Sequence, residues 1–419
     1  MMHATGSSQK PQPRPHSRRV LGTLWEFRLI LSIFAIIMGA VLFGHILPLA
    51  LKAFFFTLSN LTRKILLFLL PLLVFPYLIV SIATIKSKSA YLLVGIIVLI
   101  FASNFCSIMV AYGSGINFIP FLGLNEFVQN STEKVLMPLI DFELQPWVEI
   151  EVTMLISIVL GLWLSYVKNA SAIHFFEKYM NFSTFFFQKI YVPILPLYVL
   201  GTVLKLSYES DFSQLLPVFG SLMVMILLTQ LSYIFLMFYV GASGQLQRTW
   251  NAIKHSFTAA LVGFSTMSSL VTMPVTIKVA EQNIPDKNVA RLAISSTVNC
   301  HDVGECISLP IIALSLFYLS YGHFPDVYTY TVFAFFVALA QFSGVSVPGG
   351  SIIIILPFLS KYLSFSPDML SLIIAISIFM DPIGTANNVM GNSAFAMIIH
   401  RMYKGLSSKK WFRGSVDVS

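Results

Sequence analysis

Charge is the scarcest component of this 419-residue chain. Only 11% of its residues are Asp, Glu, Lys or Arg, where a soluble domain carries roughly 25%. That deficit excludes an ordinary water-soluble fold. Cysteine is almost missing as well. Cys106, Cys300 and Cys306 all lie in apolar segments and form no CxxC, so free thiols are expected rather than a disulfide framework. There is no HExxH for zinc, and no nucleophile stands beside a base in a recognisable motif, which argues against an enzyme. The short alternating segments of a membrane β-barrel are also absent.

What is abundant is apolar. Hydrophobic residues make up 56% of the chain and the mean hydropathy is +0.80. Apolar stretches of about 20 residues recur along its length, as helical membrane spans require. The reading is an all-α, multi-pass integral membrane protein surrounded by lipid. The net charge of +8 gathers in the tails and short loops, where it sets topology and is no sign of nucleic-acid binding. The long Phe-containing runs, such as residues 54–56 and 185–187, read as lipid or scaffold packing.

Residues 1–24 are basic and rich in Pro and Ser, and read as a disordered cytoplasmic tail with no cleavable signal. Spans follow near 27–49, 62–84 and 90–112. The segment 113–148 carries Glu126, Glu133, Asp141 and Glu143 and reads as an external loop. Further spans lie near 149–167, 186–206 and 215–241, with a turn bearing Lys168 and Lys178 after the first of them. Residues 207–213 are acidic, whereas 245–255 and the tail 406–419 are basic. Lys and Arg thus alternate sides, which places both termini in the cytoplasm. Short loops and tails fit a bacterial inner membrane.

The region 255–400 holds more polar and helix-breaking residues than a plain bundle needs. FSTMSSLVTMPVTIKVAEQ and QFSGVSVPGGSIIIILPFL each break in mid-run. A hairpin that enters the membrane and leaves on the same side fits both. Each is followed by a helix with a polar interior: STVNCHDVGE after the first, MDPIGTANNVMGN after the second. Paired broken segments in two similar halves point to a transporter binding site at an inverted repeat. In the last stretch, Asp381, Thr385, Asn388 and Asn392 are spaced by four, three and four residues, so a helix stacks them on one face. An acid at that depth is by default a functional-site residue.

These motifs resemble the dicarboxylate/amino acid:cation symporter family, which includes glutamate and neutral amino acid transporters. SSLVTMPVT (268–276) is similar to its serine-rich first hairpin and TLPVT-like stretch. STVNCHDVGE (296–305) stands where the family has an NMDGT-like break in the seventh helix. SVPGGS (346–351) resembles the second hairpin tip, and DPIGTANNVMGN (381–392) the eighth helix. Residues 67–85 are similar to the second helix, and order and spacing agree over most of 27–405.

The resemblance implies about eight transmembrane helices plus two re-entrant helical hairpins, assembled as a homotrimer. Scaffold helices 1–2 would occupy 25–85, helix 3 86–112, and scaffold helices 4–5 149–212. A transport unit would span 213–405: helix 6, hairpin 1 at 255–284, helix 7 at 288–320, hairpin 2 at 328–363 and helix 8 at 367–402. With helix 3, this unit would carry substrate across like an elevator. Asp381 matches the aspartate that meets the substrate amino group, and Asn388 the asparagine that meets its α-carboxylate. Backbone amides near Ser268 and Ser269 would meet the same carboxylate. Thr385 shares that face, and Val347, Pro348 and Gly349 would close the site.

Two departures shape the expected function. Acidic-substrate members carry an arginine three residues after the aspartate; here that position is Gly384. The hairpin position that can hold a substitute arginine is Met267. With no guanidinium for a second carboxylate, the expected substrate is a neutral amino acid. The cation site is the second departure. Asn299 matches the family asparagine, but the following acid is His301 by direct register or Asp302 if the break is one residue longer. The last eighth-helix acid is Asn392. The candidate cation-binding residues are therefore Asn299, His301, Asp302, Asn388 and Asn392. No cofactor is expected beyond sodium ions or protons as coupling ions, and since His301 can titrate near neutral pH, both remain open. Exchange without a cation, a channel and a membrane-embedded enzyme are the competing readings. Glu305 is expected to face a watery cavity or to pair locally.

Overall fold

A computed structural model of the chain describes residues 43–84, 90–123, 136–209, 215–344 and 349–407, with scattered positions between 32 and 40. Among the described residues every regular element is helical. Six helices are long and apolar enough to cross a membrane. The first expected span lies partly outside the described residues, and the tails 1–24 and 408–419 wholly so, as do Val347 and Pro348.

Helix α1 runs Leu49–Ala83, and α2 runs Ala90–Phe118 with a 3-10 turn to Leu122. Helix α3 is Ile150–Val167. Helix α4 (Ala170–Phe186) passes through a π turn, Phe187–Tyr191, into α5 (Val192–Glu209). Helix α6 is Leu215–Gly241, α7 Leu246–Thr266, α8 Ser269–Asn283, α9 Lys287–Thr297 and α10 Glu305–Tyr321. Helix α11 is Val327–Ala340, α12 Gly350–Leu363 and α13 Pro367–Ser407.

Three boundaries differ from those expected. The chain stays helical past 113, because 116–122 (INFIPFL) is apolar and the acids that marked a loop begin only at 126. The turn expected around Lys168 and Lys178 closes within two residues, and α4 follows. Asn169 caps it by accepting from the Ala172 N–H at 3.1 Å, and its polar side chains, including His174 and Glu177, face outward. The basic stretch 245–255 forms the first turns of α7, which starts before the expected 255. There Thr249, Ala252 and Ser256 are buried while Gln247 and Trp250 are exposed. That is helical spacing, and amphipathic charge had masked it.

Helix α1 packs against α3, α4 and α5. Helix α13 packs against α6, α7, α8, α9 and α10, while α2 packs against α10 and α11. The two sets meet where α1 touches the turn 341–343 and α12, and where α5 touches α13. Helices α7 and α8 form one antiparallel pair and α11 and α12 another, each packed along its partner. The chain between α9 and α10, residues 298–304, is not helical. Both pair tips and this break converge on the middle of α13.

Close backbone contact holds the convergence together. A Cβ on Gly304 would lie 2.3 Å from the Gly384 carbonyl oxygen and 2.9 Å from Asn388 Oδ1. A Cβ on Gly344 would lie 1.6 Å from the Asn299 carbonyl oxygen. No side chain fits at either position.

Candidate functional site

The first helix pair turns at Met267, whose φ of 47° is left-handed and whose N–H donates to the Gly263 carbonyl at 2.8 Å. Helix α8 then starts at once. Ser268 Oγ accepts from the Val271 N–H at 3.4 Å, and Thr272 Oγ1 donates to the Ser268 carbonyl at 2.9 Å. The first N–H groups of α8 have no intrahelical acceptor, as at any helix start. They sit beside the cavity that Ser268 and Ser269 line.

The second pair re-enters its helix at Gly349, whose φ of 70° favours glycine. The Gly349 N–H donates to Asp381 Oδ2 at 2.9 Å. Asp381 thus faces the positive end of α12, where a carboxylate is favoured. Pro382 follows within α13. It removes one helical N–H, and a kink there is the usual consequence.

Asn388 is oriented by the break. Its Oδ1 accepts from the Gly304 N–H at 2.7 Å and the Glu305 N–H at 3.3 Å. Only the oxygen can accept, so the amide nitrogen is what remains for the cavity. Gln230 and Asn387 brace this arrangement. Asn387 Nδ2 donates to Gln230 Oε1, and Gln230 Nε2 to the Gly304 carbonyl, both at 2.7 Å.

The result is a small cavity bounded by both pair tips, the break and α13. Of the expected substrate residues, Ser268, Ser269, Asp381, Thr385 and Asn388 line it. Gly384 sits behind Glu305, and Gly349 lines a smaller adjoining cavity. Of the expected cation residues, Asp302 and Asn388 line the cavity, and Asn299 packs its backbone on Gly344.

His301 and Asn392 are placed elsewhere. His301 Nδ1 lies 2.8 Å from Asn392 Oδ1, and its Nε2 lies 2.8 Å from Ser103 Oγ. Because the Asn392 oxygen only accepts, Nδ1 carries the proton. The ring also stacks on Phe395 at 4.3 Å. The fully buried imidazole therefore ties α2, the break and α13 together. Asn392 lies one turn beyond Asn388 on the same face, as the spacing required.

Two polar lining residues, Glu305 and Ser351, were among neither the substrate nor the cation candidates. The carboxyl of Glu305 reaches the side chains of Ser351 and Asp381. The acidic residue in a polar break was a signal that pointed to a watery cavity, but not to this one. Asp302, Glu305 and Asp381 are exposed by only 7%, 8% and 9%. No Lys, Arg or His lines the cavity among the described residues, and residues 345–348 read Val-Ser-Val-Pro in sequence. Three buried acids without a fixed cation call for mobile positive charge. The arrangement offers acceptors at one end and N–H donors, from α8 and Asn388, at the other.

The sodium:dicarboxylate symporter family matches the chain over residues 29–402. No curated protein matches it.

Proposed function

The chain belongs to the sodium:dicarboxylate symporter family, so it is a cation-coupled symporter and a multi-pass membrane protein rather than an enzyme, and from this we propose that its solute is a neutral amino acid. One observation carries the proposal: among the described residues every ionisable side chain lining the cavity is an acid. A dicarboxylate or an acidic amino acid needs a second cationic partner, and buried carboxylates would repel it. The absent arginine at Gly384 is not replaced from Met267, which lines the same cavity.

A neutral amino acid meets complementary groups at both ends of its backbone. Its ammonium pairs with Asp381. Its carboxylate accepts from Asn388 Nδ2 and from the first N–H groups of α8, where the helix dipole favours an anion. Asp302 takes the coupled cation, sodium or proton. The Gly349–Asp381 hydrogen bond supports a closing role for the second pair, because it draws the tip onto the acid that the solute engages. The set comprising α2 and α6–α13 moves against α1 and α3–α5 in an elevator step, and the latter set holds a homotrimer.

The test is uptake into proteoliposomes. Labelled alanine, leucine, glutamine, glutamate and succinate are each offered under an inward sodium gradient, an inward proton gradient, or neither. The expected result is cation-driven uptake of a neutral amino acid, abolished by Asp381→Ala. Uptake of glutamate or succinate in preference would overturn the reading of Gly384.

A further inference from the structure

Glu305 is a cavity acid with a buried oxygen left unused among the described residues. Its Oε2 is buried and has no hydrogen-bond partner among the described residues. A residue of this kind has a plain structural explanation: an acid in the first turn of α10 complements the helix dipole. That accounts for an acid at 305 but not for where its side chain goes. The start of α10 is pinned to α13 through Asn388, and the Glu305 side chain crosses to Gly384. A Cβ at 384 would meet Glu305 Cγ at 3.2 Å and Oε1 at 3.8 Å. The space left by the missing side chain at 384 is thus filled by a carboxyl group.

Glu305, Ser351 and Asp381 also form the wall shared by the two adjoining cavities. The second adds Ser308 and Ser377. A solute held by its backbone at Asp381 and Asn388 would send its side chain along this wall. Glu305, with its unused oxygen, is one of the three residues of that wall. An apolar side chain would leave that oxygen unpaired in a site shielded from water, which is costly.

We propose that Glu305 is a specificity-determining residue, whose free carboxylate oxygen accepts from an N–H donor at the far end of the solute's side chain. A carboxamide and an ammonium share that chemistry. The proposal rests on the reading of this cavity as the amino acid site; a carboxamide donor narrows the neutral solute, and an ammonium donor would replace it with a cationic one.

The experiment is calorimetric titration of the purified full-length protein with L-alanine, L-leucine, L-glutamine, L-lysine and L-glutamate, paralleled by uptake in proteoliposomes. Glutamine or lysine should bind about tenfold or more tightly than alanine and leucine, the usual worth of a hydrogen bond to a charged group. The glutamine and lysine arms distinguish carboxamide from ammonium. Glu305→Met, which removes the acceptor at similar volume, should erase the preference for glutamine or lysine over alanine and leucine. Glu305→Asp, which withdraws the charge by one methylene, should weaken it. Equal affinity for alanine, leucine, glutamine and lysine in the wild type would overturn the role of Glu305 and leave the neutral amino acid reading standing. So would a preference that survives Glu305→Met. Should that variant not fold, the wild-type panel and Glu305→Asp decide. Binding of glutamate alone, or of none of the five, would overturn both.

Discussion

Gly304→Ala is the sharpest test of how the break seats the cavity. The new Cβ would lie 2.3 Å from the Gly384 carbonyl oxygen, whereas real Cβ atoms keep at least 3.0 Å. The obstacle is backbone in the middle of α13, so it cannot swing away as a side chain tip would. The break must back off by about 0.7 Å, the difference between those two distances. That displacement lengthens the Gly304 N–H to Asn388 Oδ1 bond from 2.7 Å to about 3.4 Å, near the limit of a useful hydrogen bond. Overpacking costs about 1–3 kcal/mol, and a buried polar group left without its partner about 1–3 kcal/mol more. A loss of about 2–6 kcal/mol follows. It should lower the unfolding transition in detergent by several degrees. Asn388, released from its N–H donors, should also lose its orientation, so solute affinity falls along with stability. Gly95→Ala is the control. It sits within α2 with nothing within 4 Å of the added carbon, and should be neutral or stabilising by about 1 kcal/mol through helix propensity. A Gly304→Ala protein with wild-type transition and uptake would refute the account of this contact and of how Asn388 is held.

Four further outcomes are expected. Asn388→Asp keeps oxygens to accept from Gly304 and Glu305 but removes the amide donor, so uptake should fall about tenfold or more while the unfolding transition stays close to wild type. His301→Ala removes the link between Ser103 and Asn392 and leaves a hole beside Phe395; it should destabilise by about 3–5 kcal/mol without changing which amino acids compete for uptake. Ser268→Ala removes the cap of α8; with its bond at a long 3.4 Å, a loss near the low end of about 0.5–2 kcal/mol is expected in thermal unfolding. The last concerns pH. The Lys64 ammonium and the Asn60 amide hold the Asp141 carboxyl below the usual carboxylate range. Its folded pKa is therefore lower than its unfolded value of about 3.9. The contribution is fully present above that value and fades as pH falls through the lowered folded pKa. Limited proteolysis of residues 136–149 should speed up only in that acid window, and Asp141→Asn should remove the change.

The break between α9 and α10 shows what could be read along the chain and what could not. STVNCHDVGE announced an interruption, since Asn, His, Asp and Gly in an apolar run cannot continue a buried helix without polar partners. It could not say which of His301, Asp302 and Glu305 would face the cavity. Residues 298–304 are not helical, so helical spacing does not extend from α9 into α10. The partners that decide each direction are remote: Asn392 for His301, 91 positions away, and Gly384 for Glu305. The early boundary of α7 has a different cause, because charged residues on an exposed helical face look like a loop when only hydropathy is followed.

The sequence alone determined the membrane helices, since a chain with so little charge and repeated apolar runs can satisfy its backbone in lipid only by helices. It also determined the stacked face of Asp381, Thr385, Asn388 and Asn392, because helical period is a local property. The tertiary structure decided the rest. It settled that Asn388 Oδ1 is taken by the Gly304 and Glu305 N–H groups, that His301 is bonded to Ser103 and Asn392, and that Glu305 fills the space beside Gly384. These depend on backbone donors, acceptors and voids contributed by segments far apart in the chain, and no local pattern encodes where such segments meet.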